Sequence, residues 1–400
     1  MKINGFLLAF MVDLFVIPLM AVSDLIIPKK EDFIRLPDAA TEHVGRYTNV
    51  RISSDGFPII SFNDEINGGI RVVKQRGGKD FNNNSNVVID AHPGHANNGR
   101  FLRMEINPKN QRPYFAYIGN GKKATMLALC LDQACLKPKI KELFAGPATH
   151  PSLAFRPLSG LPIVAYTRQT DKKLLVTMCE NLSCSGFKTI PLTRAQKPII
   201  GDYVHVEVSP DNIPVFSWMS ADSEQLKYAR CVDSICSDFN HQIIDSSKYV
   251  GRYNFMRLDS QGHAIIMYTD VHNGYLKTAY CGDALCSKPV ITIIDDHIGA
   301  KELVRGVFPE VAINPKNGLP ILSYVAQPND NNKNPQGILK IAQCKKPDCS
   351  QVLVQEIAHG GFGYGRDSSI AFKDNVVYLS FLDYNGNKKR AYIVVLRQQK

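Results

Sequence analysis

Short apolar runs recur along this chain at a near-constant interval, each ending in an aromatic residue. They are PIISF from Pro58, PYFAY from Pro113, PIVAY from Pro162, PVFSW from Pro214, AIIMY from Ala264, PILSY from Pro320 and VYLSF from Val377. Successive runs start 49 to 57 residues apart. Further apolar or alternating stretches flank each run between polar turns, as in FMRL, AIIMY, LKTAYC and VITIID. Short runs bounded by turn signals, with no helical period, read as strands. A repeat of this length marks a solenoid, a propeller or an array. Four strands per unit predict an all-β chain, a seven-bladed β-propeller with four-stranded antiparallel blades.

The last unit, SIAF, VVYLSF and AYIVVL, has only three strands. FIRLPD, residues 33–38, resembles the fourth strands TIID and QIID, and it leads into VGRYT as QIIDSSKYV leads into GRYN. Residues 33–38 are therefore expected to complete the last blade, which leaves no open junction in the ring.

Cysteine keeps the same register. Cys130 and Cys135, Cys179 and Cys184, Cys231 and Cys236, Cys281 and Cys286, and Cys344 and Cys349 all have C-x4-C spacing, and none of the 10 cysteines is left over. In four units the first Cys follows the strand-ending aromatic by 13 residues, as from Tyr117 to Cys130; from Tyr324 to Cys344 the step is 20. In the first unit, QRGGKD from Gln75 stands where a pair would be. Each pair is expected to form a disulfide across the hairpin between third and fourth strands. A zinc site needs further ligands, and no His accompanies each pair.

Met1-Lys2, an apolar run to Val22 and then Ser23 read as an export signal over residues 1–23, with Ala21 and Ser23 at the small-residue positions. Asp13 interrupts that run, and a central Asp costs a membrane span roughly 2.5–3.5 kcal/mol. The remainder, residues 24–400, is expected to be a single propeller domain, secreted or periplasmic, with no stable membrane span after cleavage. Paired cysteines agree with an oxidising compartment. The charge is 47 basic against 37 acidic, net +10, spread over many turns. That favours anionic partners in general. It comes with no recognised nucleic-acid motif, so no nucleic acid is expected.

A four-stranded meander sorts its turns onto two faces. The cysteine hairpins and turns such as SSDGFP fall on one, the inter-blade links and second-to-third turns on the other. The loop-rich link face is the expected binding face. Residues 44–64 and 250–270 align there without a gap, VGRYTNVRISSDGFPIISFND against VGRYNFMRLDSQGHAIIMYTD. Gly-Arg opens the first strand in both, and again at Gly99-Arg100 and Gly365-Arg366.

Two readings of these arginines stand side by side. Arg46, Arg100, Arg252 and Arg366 converge at the channel mouth as an anion site, with Asp64, Asp270, Tyr47 and Tyr253 nearby, since guanidinium suits carboxylate, sulfate or phosphate. Alternatively Arg46–Asp64, Arg252–Asp270 and Arg366–Asp383 are ion pairs within each blade, leaving Arg100 the best anion candidate. Asp90, His92 and His95 in the link before Arg100 are a weak metal candidate. PNDNNKNPQG, 328–337, is oxygen-rich without a calcium-loop pattern. GGFGYGRD, 360–367, is a candidate contact loop. Trp218 occupies the slot held elsewhere by Tyr or Phe, which argues core packing over sugar stacking.

DGFPIISFND, SGLPIVAYTRQTDKKLLVTMC and NGLPILSYV resemble the repeats of exported bacterial propellers of the sialidase-like, neuraminidase-repeat group, in repeat style over residues 44–396. Sialidases of that group have six blades, an arginine triad for the substrate carboxylate, a Tyr nucleophile paired with Glu, an Asp acid/base and S-x-D-x-G-x-x-W boxes. Here the count is seven, and SSDGFP lies between first and second strands with no box tryptophan, so no catalytic residue carries over. The expected function is an exported binding module that engages a protein or glycan partner through the link face, with no cofactor. The alternative is a glycan-acting hydrolase or lyase with an arginine-lined mouth.

Overall fold

Seven four-stranded antiparallel sheets follow one another around a ring in a computed structural model of the chain. It describes residues 25–29, 32–36, 44–77, 81, 83–119, 123–194, 197–299, 309–327, 337–360, 364–385 and 388–397. The innermost strands of the seven blades, in chain order, are Val44–Ile52, Arg100–Ile106, Ala148–Phe155, Gly201–Val208, Val250–Leu258, Glu310–Ile313 and Arg366–Lys373. The apolar runs are the second strands. Pro58–Asp64, Pro113–Gly119, Pro214–Ser220, Ala264–Asp270 and Pro320–Ala326 are buried at every position. Both of their faces pack on neighbouring blades, so they read as continuous apolar runs and not as alternation.

The ring closes as expected. Phe33–Arg35 pairs antiparallel with Lys388–Arg397, Phe33 opposite Val394, and becomes the fourth strand of the seventh blade. Phe33 packs edge-on to Phe381, with ring centroids 6.2 Å apart. Residues 37 and 38 of that stretch, the segment 1–23 and most of 328–337 lie outside the described residues.

The strand-ending aromatics latch blade to blade. The hydroxyls of Tyr117, Tyr268 and Tyr324 donate to Asp90, Asp245 and Asp295 at 2.6, 2.8 and 2.8 Å. Each Asp ends the preceding blade's fourth strand or directly follows it. Trp218, 1% exposed, keeps the slot as a packing residue. Its ring lies so close to Gly201 that a Cβ there would sit 2.5 Å from Trp218 Cδ1.

All five cysteine pairs are disulfides, and the partners are those the spacing predicts. Cys130 is bonded to Cys135, Cys179 to Cys184, Cys231 to Cys236, Cys281 to Cys286 and Cys344 to Cys349. The first Cys of each pair ends a third strand, so the bridge spans the hairpin to the fourth. The second is left-handed in every pair: Cys135 (φ 57°), Cys184 (49°), Cys236 (55°), Cys286 (54°) and Cys349 (55°). Non-glycine residues rarely adopt this region, and here it folds the loop back sharply enough for the sulfurs to meet. Four of the loops carry Asp or Asn two residues after the first Cys. Asp132, Asn181, Asp233 and Asp283 each accept a backbone N–H from further round the turn. These Asx turns form the loop before the disulfide locks it. Among the described residues no helix is long and apolar enough to cross a membrane.

Candidate functional site

The site is built by one device repeated around the ring. In six blades the register between first and second strands shifts by a bulge near the strand start, after Arg46, Arg100, Thr149, Asp202, Arg252 and Arg366. The next residue is left-handed each time: Tyr47 (φ 56°), Phe101 (53°), His150 (49°), Tyr203 (54°), Tyr253 (51°) and Asp367 (52°). Bulges of this kind re-aim side chains. The preceding Gly of the Gly-Arg links has its own reason. At Gly251, φ +89°, a Cβ would press 3.1 Å from the Leu226 backbone.

The bulges turn these side chains into the mouth of the central channel. Ring centroids follow in sequence around it: Tyr47 to Phe101 5.3 Å, Phe101 to His150 4.4 Å, His150 to Tyr203 4.3 Å and Tyr203 to Tyr253 4.9 Å. They form an aromatic collar. Above it opens a cup of ≈ 380 Å³ lined by Arg46, Arg100 and Arg366, the collar rings, Asp367, Leu382 and Tyr384. Arg46 Nε is 3.3 Å from Glu65, which Lys389 also holds at 2.5 Å. Arg366 donates a long bond, 3.4 Å, to Gln327 Oε1. Arg100 lies 5.3 Å over the Phe101 ring and beside the Tyr47 hydroxyl. No carboxylate among the described residues forms a salt bridge with it.

Consecutive blades seven, one and two supply the arginines, with Asp367 also from blade seven; blade three supplies His150, held by Asp202 of blade four. Asp202 Oδ1 is 2.7 Å from His150 Nδ1, and Lys172 is 3.3 Å from its Oδ2. Burial would raise the Asp202 pKa, but the hydrogen bond and charge of His150, with Lys172, hold it well below the carboxylate range. The Tyr203 hydroxyl is pushed up, by burial first and then by Tyr253 and Asp202.

The repeated Arg–Asp pairs do not form. The bulge turns Arg46 to the mouth, while Asp64, fully buried, accepts from Arg71 Nε and Nη2 at 2.9 and 2.6 Å and from the Asn67 backbone at 3.0 Å. Asp270 likewise takes Lys277 at 2.7 Å and the Asn273 backbone at 3.0 Å. Both aspartates therefore serve the second-to-third turn and lie away from the cup. Arg252 faces Glu224 of the preceding blade at 3.6 Å and does not line the cup. Asp383 feels Arg390 as its neighbouring charge. Tyr47 and Tyr253 do belong to the cup.

The metal candidates are engaged with other partners. Asp90 is the latch acceptor for Tyr117, His92 Nε2 sits 3.0 Å from its other oxygen, and the His92 and His95 rings are 6.5 Å apart. Among the described residues no three His, Cys, Asp or Glu side chains are grouped to hold a metal ion.

Deeper in the channel an ion network closes it. Arg51 Nη2 is 2.7 Å from Glu105 and 2.8 Å from Glu310, and Arg257 reaches Glu105 at 2.7 Å and Glu207 at 2.6 Å. Arg51, Glu105, Glu207 and Arg257 sit on first strands, beyond the bulge in each. Burial opposes the charge on Glu105, yet Arg257 and Arg51 bring its pKa down to about 2. Burial pushes Glu207 up to about 6, because only Arg257 bonds it.

Phe101, His150 and Tyr203 were not singled out from sequence. Their units carry Arg-Phe, Thr-His and Asp-Tyr where the exact repeat has Arg-Tyr. Aligning every unit on its second strand places Tyr203 in the slot of Tyr47, and Phe101 and His150 one residue before it, because the turn between their first and second strands is one residue longer.

No family model matches the chain, and no curated protein matches it significantly in sequence. Solved structures match in fold. Polysaccharide lyase Uly1 is 8% identical with a TM-score of 0.51, over 89% of this chain and 90% of that one. A mutant of AofleA from Arthrobotrys oligospora is 10% identical with a TM-score of 0.51, over 80% and 90%. A mutant of Trypanosoma rangeli sialidase displaying trans-sialidase activity is 10% identical with a TM-score of 0.51, over 91% of this chain but 58% of that one. At these identities the likeness is one of fold.

Proposed function

We propose that the chain is an exported binding module that takes an acidic saccharide in the cup above the aromatic collar. The observation that carries this reading is the convergence of Arg46, Arg100 and Arg366 on one aromatic-floored cavity of ≈ 380 Å³. Small-ligand sites are typically of about 300–1,000 Å³, lined by apolar rings with a few placed polar groups. The guanidinium fork matches a carboxylate or sulfate, and Arg100 has no competing acid among the described residues. Fold neighbours named as a polysaccharide lyase and a sialidase make saccharides the first ligands to try. Residues 1–23 serve as the export signal in this reading, and 24–400 form one propeller. The five disulfides suit an oxidising compartment.

The test is calorimetric titration of the oxidised protein with uronate and sialate oligosaccharides, and with neutral oligosaccharides of equal length. Binding confined to the acidic set, and lost in Arg100→Ala, is expected. Equal binding of the neutral set, or none at millimolar ligand, would remove the proposal.

A second reading follows from His150. Its Nδ1 is held by Asp202 and its ring faces the cup, the arrangement of an oriented general base. With the ligand carboxylate on the arginines, Nε2 would take the proton from the adjacent carbon as the glycosidic C–O bond breaks, and a collar tyrosine hydroxyl would protonate the leaving oxygen. This lyase reading predicts an unsaturated, ultraviolet-absorbing product that His150→Asn abolishes without loss of binding. Binding with no product leaves the binding module.

A further inference from the structure

Between the collar and the ion network the channel holds a second chamber, of ≈ 30 Å³, walled by Thr48, Leu102, Arg103, Val204, His205 and Ser368. We infer that this chamber binds one small monatomic anion of the halide class, seated on the Arg103 guanidinium.

Arg103 carries the argument. Its guanidinium makes no hydrogen bond and no salt bridge with any described residue. Its close neighbour is the Phe255 ring, 5.1 Å from Cζ, and Arg257 lies 4.8 Å from the same ring. The network's carboxylates pair with other arginines, although Glu310 Oε1 makes no hydrogen bond and its charge reaches Arg103. Glu105 is held by Arg51 and Arg257, Glu207 by Arg257, and Glu310 lies 2.8 and 3.5 Å from Arg51 and Arg257. Arginine stays protonated in proteins, so the charge persists although burial lowers its pKa. A partly buried cation with five donors and no acceptor is costly to leave unpaired, and an anion beside it lowers that cost.

The rest of the chamber fits the same ligand. His205 is 4% exposed and its Nδ1 has no partner. Burial first, then Arg257 and Arg103, push its pKa well down, so it presents a neutral ring with an N–H to give. The one carboxyl on the wall, Asp367, has Oδ2 on the Tyr47 backbone N–H at 2.9 Å, and burial pushes it toward the neutral acid. Size sets the class. One water-sized species needs about 10–15 Å³ of such volume, so the chamber takes one or two and excludes a sugar acid or a sulfate. The cup and the chamber thus sort anions by size across the collar.

The deciding experiment is anomalous diffraction at the bromine edge from crystals of the oxidised protein soaked in sodium bromide. A peak within about 4 Å of the Arg103 guanidinium, below the collar, is expected from ordinary halide contact distances. A peak only in the cup, or none, would overturn the inference. In solution, exchanging methanesulfonate for chloride at constant ionic strength should raise the thermal midpoint by about 2 °C or more. That response should vanish in Arg103→Met and persist in Arg100→Ala, which separates chamber from cup. If Arg103→Met does not fold, the bromide map on the unaltered chain still decides.

Discussion

Arg100 shows how one side chain acquires a different meaning from its repeat mates. Arg46 shares Glu65 with Lys389 and Arg252 faces Glu224, whereas Arg100 rests on Phe101 and Tyr47 without an acid among the described residues. Replacing it with alanine should weaken acidic-ligand binding at least about tenfold, a change of about 1.4 kcal/mol. The thermal midpoint should hardly move, because no buried ion pair is broken. Calorimetry and thermal melts on the same preparation check both halves. The latch tyrosines behave in the opposite sense. Tyr268→Phe leaves Asp245 without one of its donors and should cost about 1–3 kcal/mol, read from urea midpoints. The acid dependence has a definite sign. Burial would raise Asp245 and Asp295, but backbone, serine and tyrosine hydrogen bonds, with Lys277 and Lys340, bring both below the ordinary aspartate value of 3.8. Groups depressed in the folded state add stability that is present above their unfolded pKa and disappears as pH falls through the folded one. Urea midpoints should therefore drop below about pH 4, and less steeply in Tyr268→Phe.

Among the elements, the bulge at the head of the first strand does the most for function. It sets one residue left-handed in six blades and so makes a collar from side chains that strict alternation would distribute differently. The sequence shows the Gly-Arg that precedes it but not the bulge, because the register shift is a property of strand pairing. Alternation alone pairs Arg46 with Asp64; the extra residue in the bulge separates them. The cysteine hairpin is the opposite case, an element wholly legible from C-x4-C spacing. Each disulfide closes so short a loop that replacing Cys281 and Cys286 by serine should cost only about 2 kcal/mol in chemical denaturation. A loss well above that would mean the loop also supports its neighbour, through the bond from Tyr228 to the Ala284 carbonyl.

For the whole molecule, the ring depends on a short strand far from its partners in sequence. Phe33–Arg35 pairs with Lys388–Arg397, and Leu36 is 1% exposed in the seam. Removing the chain before Val44 should lower the thermal midpoint by several degrees and promote association through the bared edge, seen by light scattering. An unchanged monomer would show that the seventh blade holds with three strands.

What is local and repeated was legible along the chain: the four strands of each unit, the number of units, the disulfide partners and the resemblance of residues 33–38 to a fourth strand. Each is set by hydrophobic period, turn chemistry or fixed spacing, which neighbouring residues encode. What meets on the axis was not legible there. Tyr47, Phe101, His150, Tyr203 and Tyr253 come from five blades. Arg51, Glu105, Glu207, Arg257 and Glu310, which close the channel, also come from five blades. Their proximity is fixed by ring closure and by the bulge's rotation of each strand head. Neither leaves a periodic trace, so the charges and rings that make the site look along the chain like ordinary strand residues.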